Sequence, residues 1–179
     1  MAIAKRKKRF FDVNIPLIEK TTQIRDFELK DINGKFIKYD LTRALRGKST
    51  EMSFKVKVNE NIAEAYPIKM KLMPYFLKRM VRKGTNYVED SFSTNCENAQ
   101  LRIKPLLVTR RKVSRAVRKA LREKCRQELI DYVKDKTSNE IFDDIIKNKL
   151  QKTLSLKLKK IYPLSLCEIR VLKVEKDLK

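Results

Sequence analysis

Residues 109–135 read TRRKVSRAVRKALREKCRQELIDYVKD, and this stretch organises the interpretation of the whole chain. Val113, Val117, Leu121 and Cys125 recur every four residues, which places them on one side of a predicted α-helix. The remaining sides carry cations almost exclusively: Arg110, Arg111, Lys112, Arg115, Arg118, Lys119, Arg122, Lys124 and Arg126.

Such a run of like charges destabilises an isolated helix, because neighbours three and four residues apart repel each other. A solvated helix face usually mixes charges of both signs. We therefore interpret residues 109–135 as a helix that binds a polyanion, with an ordinary solvated surface as the alternative.

The composition of the chain favours the same partner. It has 179 residues, 44 Lys and Arg against 22 Asp and Glu, no His, and a formal net charge of +22. A charge of this size opposes compaction and attracts polyanions, so nucleic acid is the leading partner. The 42% hydrophobic content is sufficient for the core of one folded domain.

Further cations cluster outside the helix. They occur in the N-terminal block MAIAKRKKR, in the loop around Gly47, and in the predicted short helix PYFLKRMVRKG at 74–84. The N-terminal block is expected to become ordered on a phosphate backbone. Aromatic residues are sparse among them apart from Phe10 and Phe11, so base stacking receives less support. The candidates are Lys5, Arg6, Lys7, Lys8, Arg9, Arg43, Arg46, Lys48, Arg79, Arg82 and Lys83.

The first half of the chain is predicted to be rich in β-strands. Residues 11–41 form short β-like runs, in which Asn33-Gly34 predicts a two-residue hairpin turn and Pro16 an edge strand or bulge. Apolar residues alternate over 52–58 and 68–72, which predicts an antiparallel pair. A strand over 101–107 contains Pro105, so it should be kinked or lie at an edge.

The second half is predicted to be helical, with one last strand. Thr137 and Glu140 have the spacing of a capping box, and Tyr162-Pro163 should end the helical region. The expected fold is α+β: an antiparallel, curled or barrel-like sheet with helices packed to one side and a C-terminal closing strand. We divide the chain into a basic tail over 1–10 and a single domain over 11–176, which is β-rich over 11–108, helical over 109–161 and closed by a strand over 164–174.

No pattern of a catalytic, metal or cofactor site is present in the sequence. Histidine, the usual acid–base catalyst near neutral pH, does not occur. The phosphate-binding glycine motifs GxGxxG and GxxxxGK(S/T) are also absent from the sequence. Cys96, Cys125 and Cys167 are widely spaced, so we expect buried or incidental thiols in a reducing cytoplasm. No signal sequence or membrane span is predicted. A magnesium-dependent nuclease built from distant carboxylates stays open as an alternative.

Several short segments resemble a family of archaeal and eukaryotic small-subunit ribosomal proteins called eS-one, also written S-three-Ae. They occur in the same order as in the family and resemble its archaeal members more than its eukaryotic ones. The segments are YDLTR at 39–43 with LRGK at 45–48, MVRKG at 80–84 leading into YVEDSF at 87–92, LRIKP at 101–105, RRKVSRAVR at 110–118, and KIYPL at 160–164 before EIR at 168–170.

The resemblance implies a structural, non-enzymatic protein of the small-subunit platform, near the exit of the messenger channel. It implies small-subunit ribosomal RNA, neighbouring platform proteins and mRNA near the exit channel as partners, with no cofactor and no membrane. The location would be the cytoplasmic ribosome. A free-standing nucleic-acid-binding protein is the other alternative, although no recognisable reading module is found. A cationic membrane-surface protein would need large apolar residues opposite the charges, and the helix offers mainly Ala and Val there.

Overall fold

The computed structural model describes residues 7–60 and 62–178. The strands are β1 Arg9–Ile15, β2 Lys20–Asp26, β3 Phe36–Asp40, β4 Thr50–Asn59, β5 Ile62–Leu72, β6 Tyr87–Glu89, β7 Phe92–Asn95, β8 Ala99–Thr109 and β9 Leu164–Asp177. The helices are α1 Pro74–Met80, α2 Arg115–Lys134, α3 Ser138–Ile146 and α4 Lys149–Leu158.

The chain forms two compact units. The first unit comprises Met1–Tyr39 and Ser53–Ile68, and the second comprises Asp40–Met52 and Lys69–Lys179. Strands β4 and β5 contribute residues to both. The α+β class is therefore confirmed, with strands in both units and all four α-helices in the second.

In the first unit, β1 and β2 form an antiparallel hairpin whose register runs from Arg9↔Asp26 to Ile15↔Lys20. The connection is a short 3-10 turn that begins at Pro16. Pro16 therefore follows the end of β1 and does not mark an edge strand or a bulge. Proline suits this first helical position because its missing N–H would have no partner there.

The hairpin predicted at Asn33-Gly34 is wrong. Strand β2 pairs with β1, and β3 pairs with β4. Residues Leu29–Ile32 form a 3-10 turn with Ile32 fully buried, and the Gly34 N–H donates to the Val56 carbonyl at 2.8 Å. Burial of Ile32 therefore outweighs the local preference of Asn-Gly for a two-residue turn.

In the second unit, β5 pairs with β9, β9 with β8, and β8 with both β6 and β7, all antiparallel. Leu106, Leu107, Val108 and Thr109 of β8 are all buried, as expected for a central strand covered on both faces. Pro105 does not lie at an edge. It coincides with a register shift between β8 and β9, as expected where a proline cannot donate to the ladder.

Of the two forms expected for the sheet, curled or barrel-like, the closed barrel does not occur. In pairing order the strands run β2-β1-β5-β9-β8-β6, and within residues 7–60 and 62–178 no pairing joins the end strands β2 and β6. The helices pack alongside the sheet in the second unit, α2 against β6 and β7 and α4 against β9.

The sequence offers Thr109 or Ser114 near the start of the cationic helix; Ser114 is the cap, so the predicted helical bound at 109 is too early. Thr109 is the last residue of β8, and α2 starts after Ser114, whose hydroxyl accepts a hydrogen bond from the Val117 N–H at 3.4 Å. The Thr109 side chain is fully buried and hydrogen-bonds to the backbone of Asn86. These contacts hold Thr109 in the sheet, so the cations at 110–112 lie in the connection before α2.

The helix predicted over 74–84 ends at Met80, whereas the predicted cap of α3 and the closing strand are confirmed. The Thr137 hydroxyl and the Glu140 carboxylate form the expected capping box at the start of α3, and β9 is the closing strand. No helix in residues 7–60 and 62–178 is long and apolar enough to cross a membrane.

All three cysteines are free and buried, as predicted. Burial raises the pKa of Cys125 to about 12 and also raises the pKa of Cys167. Both thiols therefore stay protonated near neutral pH, which makes them poor nucleophiles. The described part of the chain contains no group of three or more Cys, Asp or Glu residues suited to hold a metal ion.

Candidate nucleic-acid interface

The first two turns of α2 present a cationic groove in the second unit. Arg115, Arg118, Lys119 and Arg122 line this groove together with Tyr87 and Val88 of β6, and its lining contains no acidic residue. Their spacing of three and four residues places the four cations on one side of α2. Leu121 and Cys125 face the core, so the buried stripe of the helix fixes the direction of the cations.

The N-terminus of α2 strengthens the positive potential of this groove. Its first turn contains no Asp or Glu, although acidic residues are favoured there. The helix end itself attracts anions, because unpaired backbone N–H groups and the helix dipole both present positive charge. The cationic groove is therefore best suited to phosphate groups.

Arg118 differs from its neighbours because it is half-buried. Its Nε is shielded from solvent and has no hydrogen-bond partner in the described residues. A buried donor without an acceptor costs free energy, and an acceptor on a bound polyanion would remove that cost.

Tyr87 is the residue of this groove that the sequence analysis missed. In the sequence it appears only as the first residue of the motif YVEDSF at 87–92. In the structure Tyr87 is 56% exposed, whereas Val88 is buried. The alternation along β6 could have indicated that Tyr87 points outward. An exposed aromatic ring beside four cations can stack on a nucleobase while the cations bind phosphate.

Tyr87 also borders a second groove, which is lined by residues of α1 and its following turn. Lys78 and Val81 lie on its wall together with Glu89 and Arg170, whose side chains form an ion pair at 2.8 Å. Arg79, Arg82 and Lys83 are exposed in the same segment. The second unit therefore brings the end of α1 to the same tyrosine as the start of α2.

The connection between β8 and α2 continues the cationic surface. Arg110, Arg111 and Lys112 are all exposed and directly precede the helix cap Ser114. The Val113 N–H donates to the Asn86 side chain at 2.8 Å, which fixes this connection beside the residue that precedes Tyr87.

The remaining candidates fall into separate groups. In the first unit, Lys7 and Lys8 are exposed before β1, and Arg9 is its first residue, whereas Lys5 and Arg6 lie outside the described residues. Arg43 and Arg46 are exposed in a turn of the second unit, where Arg46 and Gly47 both have positive φ.

Lys48 has a different environment from Arg43 and Arg46. Its ammonium lies 2.6 Å from a Glu168 carboxylate oxygen and 3.0 Å from the Asn148 side-chain oxygen. The side chains of Lys48 and Glu168 are only 14% and 13% exposed. This ion pair ties the loop at 43–48 to β9, so in our proposal Lys48 has a structural role instead of binding phosphate.

Replacing Lys48 by Met should lower the free energy of unfolding by about 1–3 kcal/mol, because Glu168 would keep a poorly solvated charge without its partner. Denaturant unfolding measures this change, and the double variant K48M/E168Q should recover part of it. The salt dependence of RNA binding by folded K48M should equal that of the wild type. A slope that fell by about one would instead identify Lys48 as a phosphate contact.

Several archaeal proteins are similar to this chain, and each carries the name small ribosomal subunit protein eS1. The protein from Halorubrum lacusprofundi is 28% identical over 138 residues, which cover 76% of this chain and 64% of that protein. The protein from Haloarcula marismortui is 26% identical over 133 residues, covering 73% and 62%. The protein from Nanoarchaeum equitans is 22% identical over 166 residues, covering 88% and 84%.

The matched region thus spans less than two thirds of the two haloarchaeal relatives. A family model is more extensive, since the one described as the Ribosomal S3Ae family matches residues 5–177. This match includes β1 to β9, the helices between them and the whole cationic groove. The chain therefore belongs to the Ribosomal S3Ae family.

Proposed function

We propose that this protein is a structural constituent of the small ribosomal subunit and binds small-subunit ribosomal RNA through the second unit. The observation that carries the proposal is the groove of Arg115, Arg118, Lys119 and Arg122 at the positive end of α2, with no acid in its lining. Membership of the family, the name of the relatives and the net charge of +22 support the same function.

The mechanism is binding without chemistry. Arg and Lys neutralise phosphates and release condensed counterions, and an Arg fork can donate to two phosphate oxygens at once. An A-form RNA helix exposes a wide, shallow minor groove with 2′-hydroxyls, so this surface would recognise mainly the shape of folded RNA. Tyr87 adds one position at which an unpaired base next to that helix can stack.

The finer part of the proposal concerns the position on the subunit. We place the protein on the platform near the exit of the messenger channel, with neighbouring platform proteins and mRNA near the exit as further partners, in the cytoplasmic ribosome. The resemblance of the motifs at 39–48, 80–92 and 101–118 to the family supports this position. The exposed cations at Arg43, Arg46, Arg79, Arg82 and Lys83 would enlarge the RNA footprint.

Sedimentation of native cell extract through sucrose gradients tests the proposal. At low salt, we expect the protein to migrate with free small subunits and whole ribosomes, and high salt should release it because the contacts are mainly to phosphates. Nuclease digestion of the extract should move it to the top of the gradient. A protein that stays at the top at low salt without digestion would contradict the ribosomal assignment.

A further inference from the structure

The outward face of the β1–β2 hairpin in the first unit carries two aromatic rings that the core does not use. Along β1, Val13 and Ile15 are fully buried, so the intervening residues point to the opposite face. Phe10 on that outward face is 66% exposed, and Phe27, directly after β2, is 40% exposed. Neither ring gains the free energy that full burial would provide, so packing alone does not explain them.

Each of these rings has a cation over its face. The guanidinium carbon of Arg25 lies 5.9 Å from the centre of the Phe10 ring, and Arg25 is the partner of Phe10 in the hairpin register. The Lys8 ammonium lies 5.1 Å from the centre of the Phe27 ring. Because Arg9 pairs with Asp26, Lys8 and Phe27 continue the same register by one step. The two rings therefore lie at the same end of the hairpin, each under a cation from the other side of the pairing.

The charges around this face favour an anionic occupant. Asp12 also points outward, but its carboxylate accepts a hydrogen bond from the Gln23 amide at 3.0 Å. Asp26 is buried and forms an ion pair with Lys35, and Glu28, the exposed residue after Phe27, caps the 3-10 turn Leu29–Ile32. Lys8 and Arg25 lie on this face, and Lys7 and Arg9 are also exposed at the same end of the hairpin, so the local charge is positive.

We infer that Phe10, Phe27, Lys8 and Arg25 form a stacking platform for two adjacent unpaired nucleotides of RNA. A stacked base takes the place of the cation over each ring, and the long side chains of Lys8 and Arg25 then contact the neighbouring phosphates. A duplex would not use the platform, because its bases are already stacked on each other. The inference rests on the proposed function because both take RNA as the bound polyanion. It adds a site for single-stranded RNA in the first unit, separate from the cationic groove of the second.

The alternative is that the ring–cation pairs only stabilise the hairpin, as cross-strand pairs of this kind commonly do. Oligonucleotide binding by the full-length protein, measured by fluorescence anisotropy, separates the two. The probes are a short oligouridylate, an abasic strand of the same length, and an RNA duplex. The variants are F10A/F27A, which removes both rings, and F10Y/F27Y, which keeps them.

We expect F10A/F27A to bind the oligouridylate at least about tenfold more weakly than the wild type, because stacking on one aromatic ring is worth about 1–3 kcal/mol per base. Its affinities for the abasic strand and the duplex should be unchanged, and F10Y/F27Y should bind the oligouridylate like the wild type. The unchanged abasic affinity would show that the hairpin is still folded and keeps its cations.

Equal affinity of wild type and F10A/F27A for the oligouridylate would overturn the platform. An equal loss on all three probes would also overturn it, since the rings would then act only through the hairpin structure. A wild-type protein that bound none of the three probes would instead contradict the proposed function. If the protein binds the duplex, and F10A/F27A binds the oligouridylate as tightly as the wild type, the proposed function remains and only the platform is rejected.

Discussion

Simultaneous replacement of Arg115, Arg118 and Arg122 by Glu should lower the affinity for structured small-subunit RNA by about two to three orders of magnitude. Three charge-assisted phosphate contacts of about 1–1.5 kcal/mol each account for this loss, and the introduced carboxylates repel the phosphates in addition. The plot of log affinity against log salt concentration should also become shallower by about two to three. Filter binding or anisotropy over a salt series measures both quantities.

A matched control must change the net charge equally without touching the cationic groove. The variant K152E/K159E/K160E does so, since all three lysines are exposed on α4 or at its C-terminus, away from the groove lining. It should retain most of the affinity. If both triple variants lose the same affinity, net charge alone governs binding and the α2 assignment fails.

Replacing Leu121 by Ala has the largest expected effect on stability. Leu121 is fully buried on the face of α2 opposite the cations, in line with Cys125 and Leu129. Loss of a buried leucine side chain leaves a cavity and should lower the free energy of unfolding by about 2–5 kcal/mol. Urea unfolding followed by circular dichroism measures the change.

Leu156 provides the control because it is a leucine on α4 that is 70% exposed. Its replacement by Ala should change the free energy of unfolding by no more than about 0.5 kcal/mol. The cations themselves are unchanged in L121A, so this variant should still bind RNA under conditions where it is folded. A loss below about 1 kcal/mol in L121A would mean that α2 is not anchored through Leu121.

Features that depend on neighbours in sequence were predicted correctly. The capping box at Thr137 and Glu140, the alternation over 52–58 and the closing strand after Pro163 are of this kind. These signals are reliable because each is contained in one element. One helix turn contains both groups of a capping box, and one strand contains its whole buried stripe. The side of α2 that carries the cations was predicted for the same reason.

Features that depend on distant partners were not predicted. Asn33-Gly34 has the sequence of a hairpin turn, but the Gly34 N–H donates to the Val56 carbonyl, and β2 pairs with β1 instead of β3. The helix did not start at Thr109, because Asn86 holds that residue in the sheet. Each local preference was worth less than the burial and hydrogen bonds available elsewhere in the fold.

The sequence by itself determined the α+β class, the family and the cationic character of the helix, because periodicity, motif order and charge are properties of the chain. Only the tertiary structure decided which cations act together. It brought Tyr87 beside Arg115 and Arg118, and it paired Lys48 with Glu168, 120 residues away. The physical reason is that charge is present in every conformation, whereas a groove or a buried ion pair exists only after distant segments have packed.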